Sequence, residues 1–183
     1  AQGFSRGLYG LLAIAMLLFA RSLGSGTEFL GLVFVTGAIG ALLAAAITPA
    51  ATRRWGGQRW LLILLILNAV TVGVLTPAFQ PVALLAAVFM LNVASMGIKI
   101  VVDTALQHEC ADEYRGRVFS VNDTAFNTLY VVGLFVGAYA LPVNGRSAST
   151  VMAVTACYLL LGAWYFGRTR AYGASLTRSR TER

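Results

Sequence analysis

The sequence predicts an all-α polytopic membrane protein with six transmembrane helices, and two observations carry that prediction. Of the 183 residues, 58% are apolar and only 11% are charged, with a mean hydropathy of +0.74; soluble domains carry about 25% charged residues. The few charges are also clustered. No Asp, Glu, Lys or Arg occurs in residues 29–52, 60–98, 124–145 or 147–167. A bilayer core of roughly 30 Å needs about 20 apolar residues of helix, so runs of this length read as membrane spans.

Taken in order, the first span covers 4–23, ahead of a short link that holds Gly24 and Gly26. The second covers 29–51 and stops against Arg53 and Arg54. The longest charge-free run is too long for one helix. It breaks at Thr76-Pro77-Ala78-Phe79-Gln80-Pro81, where two prolines remove backbone donors. That break makes a tight hairpin of two spans, 59–77 and 81–103. The fifth span covers 115–141 and the sixth 148–167. Residues 1–168 therefore form one six-helix bundle with no room for a soluble domain. The remainder, 169–183, is polar and basic without apolar periodicity, and reads as a disordered cytoplasmic tail.

Orientation follows from the basic residues, which favour the cytoplasmic side of short loops. Arg6, Arg53, Arg54, Arg59, Arg115, Arg117, Arg168, Arg170, Arg178, Arg180 and Arg183 fall on one side of the six-span path, and Arg21 and Arg146 on the other. Both termini of the segment are thus expected in the cytoplasm of a cell bounded by a plasma (inner) membrane. The net charge of +7 is then a topology signal that also meets anionic lipid headgroups, and needs no nucleic acid. The chain starts at Ala1, and Gln2 to Arg6 reads as the middle of a longer protein. The expectation is a fragment or a processed chain. Its Ala-, Gly- and Arg-rich composition with one Lys points to a GC-rich bacterial genome.

Several chemistries lack their residues. The single Lys, Lys99, stands in Gly97-Ile98-Lys99-Ile100-Val101 and not in a phosphate-binding loop. Cys110 and Cys157 form no paired framework. His108-Glu109-Cys110-Ala111-Asp112 holds four metal-binding residue types but has no matched second half, so it reads as a solvated polar loop. The sequence gives no grounds for an enzyme, a cofactor or a metal.

Polar residues within the spans are costly, at about 2.5–3.5 kcal/mol for a charge at mid-helix, and so they are the informative ones. Asn92, Ser95, Lys99 and Asp103 share one face of the fourth span. Gly116, Ser120, Asp123, Asn127 and Tyr130 form a stripe along the fifth. Two striped helices adjacent in sequence would line a water-accessible cleft. Counting about 1.5 Å per residue, Lys99 and Asp123 reach similar depth. They are expected to form an intramembrane ion pair, or to exchange Asp123 for Asp103 during a conformational cycle; the plainer alternative is a fixed pair near the interface with Lys99 snorkelling outward. Thr36, Gly40, Ala44 and Thr48 on the second span, and Gly133 and Gly137 on the fifth, permit close helix approach, read as packing within the chain. Asn68 and Thr71 give the third span a weaker polar face.

The run Lys99-Ile100-Val101-Val102-Asp103-Thr104-Ala105-Leu106-Gln107 is followed by Asp112-Glu113-Tyr114-Arg115-Gly116-Arg117-Val118-Phe119-Ser120 and Asp123. It resembles the fourth-to-fifth helix region in the C-terminal half of major facilitator superfamily transporters. Its D-E-x-R-G-R-V-F-S element is most similar to the macrolide and siderophore exporter branch. Thr52-Arg53-Arg54-Trp55-Gly56-Gly57-Gln58-Arg59 stands where such proteins have a basic loop, without the Asp that the family places before the basic residues.

The resemblance implies two inverted three-helix repeats, half of a twelve-helix fold, with substrate held near the midplane against a missing N-terminal half. It implies a proton-coupled exporter of small amphipathic molecules working by alternating access. Asp123, Asn127, Asn92 and Tyr130 would face the cavity, with Lys99 and Asp103 as further coupling candidates. Arg115, Arg117, Asp112, Glu113, Arg53 and Arg54 would make or break cytoplasmic contacts. Two rivals stay open: a self-sufficient six-helix homodimer, and a non-transporting membrane scaffold or decayed fragment.

Overall fold

The computed structural model describes residues 2–22, 27–75, 80–142 and 145–181. It contains six helices: α1 Gln2–Ser22, α2 Thr27–Trp55, α3 Gly57–Leu75, α4 Pro81–Glu109, α5 Asp112–Ala140 and α6 Ala148–Thr181. Most of the Thr76–Pro81 break lies outside the described residues. At its far end Gln80 is extended and Pro81 takes the first helical position, where its missing N–H costs nothing.

The α2–α3 and α4–α5 links are shorter than the sequence predicts. Gly56 alone separates α2 from α3; its φ of 82° is the left-handed conformation that glycine adopts freely, and its N–H closes α2 on the Thr52 carbonyl at 2.9 Å. Thr104 to Glu109 contain no Gly or Pro, so α4 runs past residue 103, and only Cys110 and Ala111 separate it from α5. The polar loop expected at 108–112 is therefore mostly helix: His108 and Glu109 end α4, and Asp112 begins α5. The segment expected to be a disordered tail also differs, since α6 continues to Thr181. Its Arg, Ala and Leu residues favour helix and no proline interrupts them.

Helix pairing shows the repeat. α1 lies along α5 and α2 along α4. Both pairs are parallel: Gly7 and Gly10 approach Leu129 and Tyr130 while Leu11 and Ile14 meet Gly137, and Gly37 meets Val88 and Asn92 while Thr48 lies by Gly97. Exchanging α1–α3 with α4–α6 turns one pair into the other and maps the α3–α6 pair onto itself. This is the pattern of two inverted three-helix repeats.

Close approach needs glycine at the α1–α5 seam. A Cβ on Gly133 would run into the Gly7 carbonyl, and one on Gly10 into the Tyr130 carbonyl. The core joins Leu12, Met16 and Phe19 of α1 to Leu64 and Val72 of α3, Leu91 and Ile98 of α4, and Val154 and Tyr158 of α6. Outward faces are apolar as well: Phe34, Leu42, Phe135, Met152 and Leu160 are all exposed. So much exposed apolar surface suits lipid and not water.

Among the described residues, five helices are long and apolar enough to cross a membrane. The exception is α5, the fifth predicted span, whose first half carries Asp112, Glu113, Arg115, Arg117 and Asp123. From Thr124 to its end α5 is free of charge. The chain is an all-α polytopic membrane protein.

Candidate functional site

Charged and polar side chains of α1, α4 and α5 converge in two adjoining clusters. The first centres on Lys99. Its ammonium donates to Asp103 one turn on at 2.6 Å and to Asp123 of α5 at 3.0 Å. Asn122 of α5 also donates to the other Asp103 oxygen at 3.5 Å. The side chains of Lys99 and Asp103 are 24% exposed and that of Asp123 52%, so Asp123 is the acid that water reaches most readily.

The second cluster lies farther along the same helices. Tyr9 of α1 donates its hydroxyl to the Asn92 side-chain oxygen at 3.0 Å, and the Asn92 amide donates to its own helix at the Val88 carbonyl. The Tyr9 and Tyr130 rings stack with centroids 6.0 Å apart. Arg6 lies against both, 5.0 Å from the Tyr9 ring centroid and 4.4 Å from that of Tyr130, and also 4.4 Å from Phe126. Its Nη1 donates to Ser95 at 3.3 Å. Phe126 joins the two clusters, because Lys99 Nζ stands 5.3 Å from the same ring.

A cavity of about 370 Å³ opens beside the second cluster, between the α1–α5 pair and the α2–α4 pair. Tyr9, Asn92 and Tyr130 are its polar lining; Val33, Phe34 and Leu134 are among the apolar groups around them.

The predicted site residues are thus placed unequally. Asn92 and Tyr130 line the cavity, and Lys99, Asp103 and Asp123 form one ionic cluster. Asn127 turns back on its own helix and donates to the Asp123 carbonyl at 2.9 Å. The stripe of α5 does not face the stripe of α4 along its length: Gly116, Ser120, Asp123 and Asn127 are exposed, since α5 packs chiefly on α1 and meets α4 around Asp103 and Lys99.

Of the gating candidates, Arg115 pairs with Asp112 within α5 at 2.5 Å. Arg54 lies 5.8 Å from the Trp55 ring. Arg53, Glu113 and Arg117 are exposed, and among the described residues no ion pair joins the α2 end to the α5 start. No three of His, Cys, Asp and Glu come together among those residues as a metal would require.

Arg6 is the residue that sequence reasoning missed, having counted it only as a marker of orientation. The available signal was its spacing. Arg6 and Tyr9 are three residues apart, so they share a helix face inside the first span.

No family model and no solved structure matches the chain. Curated relatives do. The chain is 30% identical over 164 residues to an uncharacterized MFS-type transporter of Mycobacterium tuberculosis, an alignment that covers 84% of this chain and 36% of that protein. A counterpart in Mycobacterium bovis gives the same figures. The multidrug resistance protein MdtG of Dickeya zeae is 28% identical over 162 residues, with 85% of this chain and 39% of that protein covered. The chain therefore spans less than two-fifths of the length of these relatives. Six helices in two inverted three-helix repeats go with this similarity: over most of its length the chain is similar to part of MFS-type transporters.

Proposed function

We propose that the chain is the C-terminal six-helix half of a proton-coupled secondary transporter. It would export small amphipathic molecules by alternating access across a plasma (inner) membrane, with both ends of the segment cytoplasmic. The observation that carries this reading is the placing of a half-exposed acid, Asp123, on a lysine already held by Asp103, one aromatic ring away from the cluster beside the cavity. Protonating Asp123 would release Lys99 to Asp103 alone and loosen the tie between α4 and α5, the kind of small electrostatic change that biases a two-state element. The apolar lining with Asn92 and two tyrosines suits an amphipathic solute, and export accords with the naming of the MdtG relative as a multidrug resistance protein.

The self-sufficient homodimer is less well supported, because the Gly133 and Gly137 face that could pair two copies is occupied by α1 of the same chain.

The test is flux in cells that express this chain with an N-terminal six-helix partner, followed as energy-dependent efflux of the neutral amphipathic dye Nile red. Efflux that needs both halves and the pH gradient is expected. Asp123→Asn should lose the pH dependence yet retain exchange of label down its gradient. A folded pair with no efflux would favour the scaffold reading, and unchanged pH dependence in the variant would end the coupling role of Asp123.

A further inference from the structure

Among the described residues no acid pairs with Arg6. Asp103 and Asp123 of the adjoining cluster are both taken by Lys99, and the groups Arg6 itself touches are Ser95 and three aromatic rings. Ser95 is the middle residue of α4 and Phe126 the middle residue of α5, so the guanidinium lies halfway along the two 29-residue helices it touches. A guanidinium stays charged and offers five N–H donors. The hydrogen bond to Ser95 uses one of them, and Nε–H is buried without an acceptor.

Cation–π contact returns only about 0.5–2 kcal/mol, against several for removing an ion from water. Rings also meet the face of the guanidinium, whereas its N–H donors point outward from the edge, where a planar oxyanion bonds. Tyr9 and Tyr130, on which it lies, are also the polar wall of the 370 Å³ cavity.

We infer that Arg6 is an oxyanion-binding residue, and that the cavity takes a small amphipathic molecule bearing a carboxylate, sulfonate or phosphonate, its apolar body against the Tyr9–Tyr130 stack. This deepens the transport reading, and rests on it only in calling the anion a substrate; the site itself is tested by binding. The same chemistry could come from a lipid headgroup, so the lipid is one variable of the test.

The chain is placed in nanodiscs of phosphatidylcholine and titrated with naphthalene-2-sulfonate, with neutral 2-naphthalenemethanol, and with the trimethyl-2-naphthylammonium cation. Saturable binding of the sulfonate about tenfold tighter than the alcohol is expected, as one charge-assisted hydrogen bond implies. Arg6→Gln should bring the sulfonate down to the level of the alcohol. Arg6→Lys, which keeps a cation among the rings and so preserves the fold if the glutamine variant does not, should remain selective for the sulfonate but bind it several-fold more weakly. Phosphatidylglycerol in the disc should leave sulfonate affinity unchanged if the natural ligand is a soluble anion. Competition that depends on Arg6 would identify a lipid headgroup at the same site. Equal affinity for the three probes, or sulfonate affinity untouched by Arg6→Lys, overturns the assignment.

Discussion

Lys99 of α4 and Asp123 of α5 are joined at 3.0 Å while the same ammonium holds Asp103 at 2.6 Å, so one cation serves two acids on two helices. Loss of the acids should be mild and loss of the cation severe. Asp123→Asn leaves Lys99 with Asp103 and should cost about 0.5–1 kcal/mol, the range for an exposed pair. Lys99→Met leaves two carboxylates facing each other and should cost about 2 kcal/mol or more. Thermal transitions of the purified chain in one detergent would show the order; equal losses would mean that the cluster does not act as a unit.

Two glycines of the same helix should respond in opposite directions. At Gly133 a methyl group meets the Gly7 carbonyl, whereas at Gly116 nothing lies within 4 Å. Gly133→Ala should destabilise by about 2 kcal/mol, as overpacking does. Gly116→Ala should stabilise by about 0.5 kcal/mol through helix propensity. Melting temperatures of the two variants that move together would refute the parallel α1–α5 seam.

The Tyr9–Asn92 hydrogen bond spans 3.0 Å between α1 and α4. In a double-mutant cycle of Tyr9→Phe and Asn92→Leu, the two changes should couple by about 1 kcal/mol, the net worth of one such bond. The Tyr9–Tyr130 stack persists in both, so additive losses would place the stabilisation in the rings.

Asn68 is fully buried in α3, and among the described residues neither its side-chain oxygen nor its nitrogen has a hydrogen-bond partner. Replacing an unsatisfied amide by an apolar group of similar size is neutral to stabilising. Asn68→Leu should therefore raise the unfolding midpoint by up to about 1–2 kcal/mol equivalent. A marked loss would reveal a bond that forms in the membrane.

What could be read in the sequence followed from period and cost. Charge-free runs located the helices, and the expense of buried charge singled out Lys99, Asp103 and Asp123. Helical spacing placed Asn92, Ser95 and Lys99 on one face, where the structure has them meet Tyr9, Arg6 and Asp123. What escaped was partnership. Helices adjacent in sequence were expected to face each other, but α5 packs on α1, so Asn127 and Ser120 point away from α4. Arg6 was hidden because a basic residue near a helix end is ordinarily a topology marker. Only the arrival of Phe126 and Tyr130 from α5 makes it part of a site. Helix ends were misjudged for a local reason: Thr104 to Glu109 are polar, but nothing in them stops a helix.

The crossed pairing of repeats bears on how the molecule is made. Since α1 leans on α5, and α2 on α4, neither repeat holds its own best partners. During synthesis three other helices separate α1 from α5, so the Gly7–Gly10 surface must wait for its partner. Assembly then proceeds stepwise, as α4, α5 and α6 each close a seam with a helix of the first repeat. A chain cut between α3 and α4 would leave both pieces without their seams.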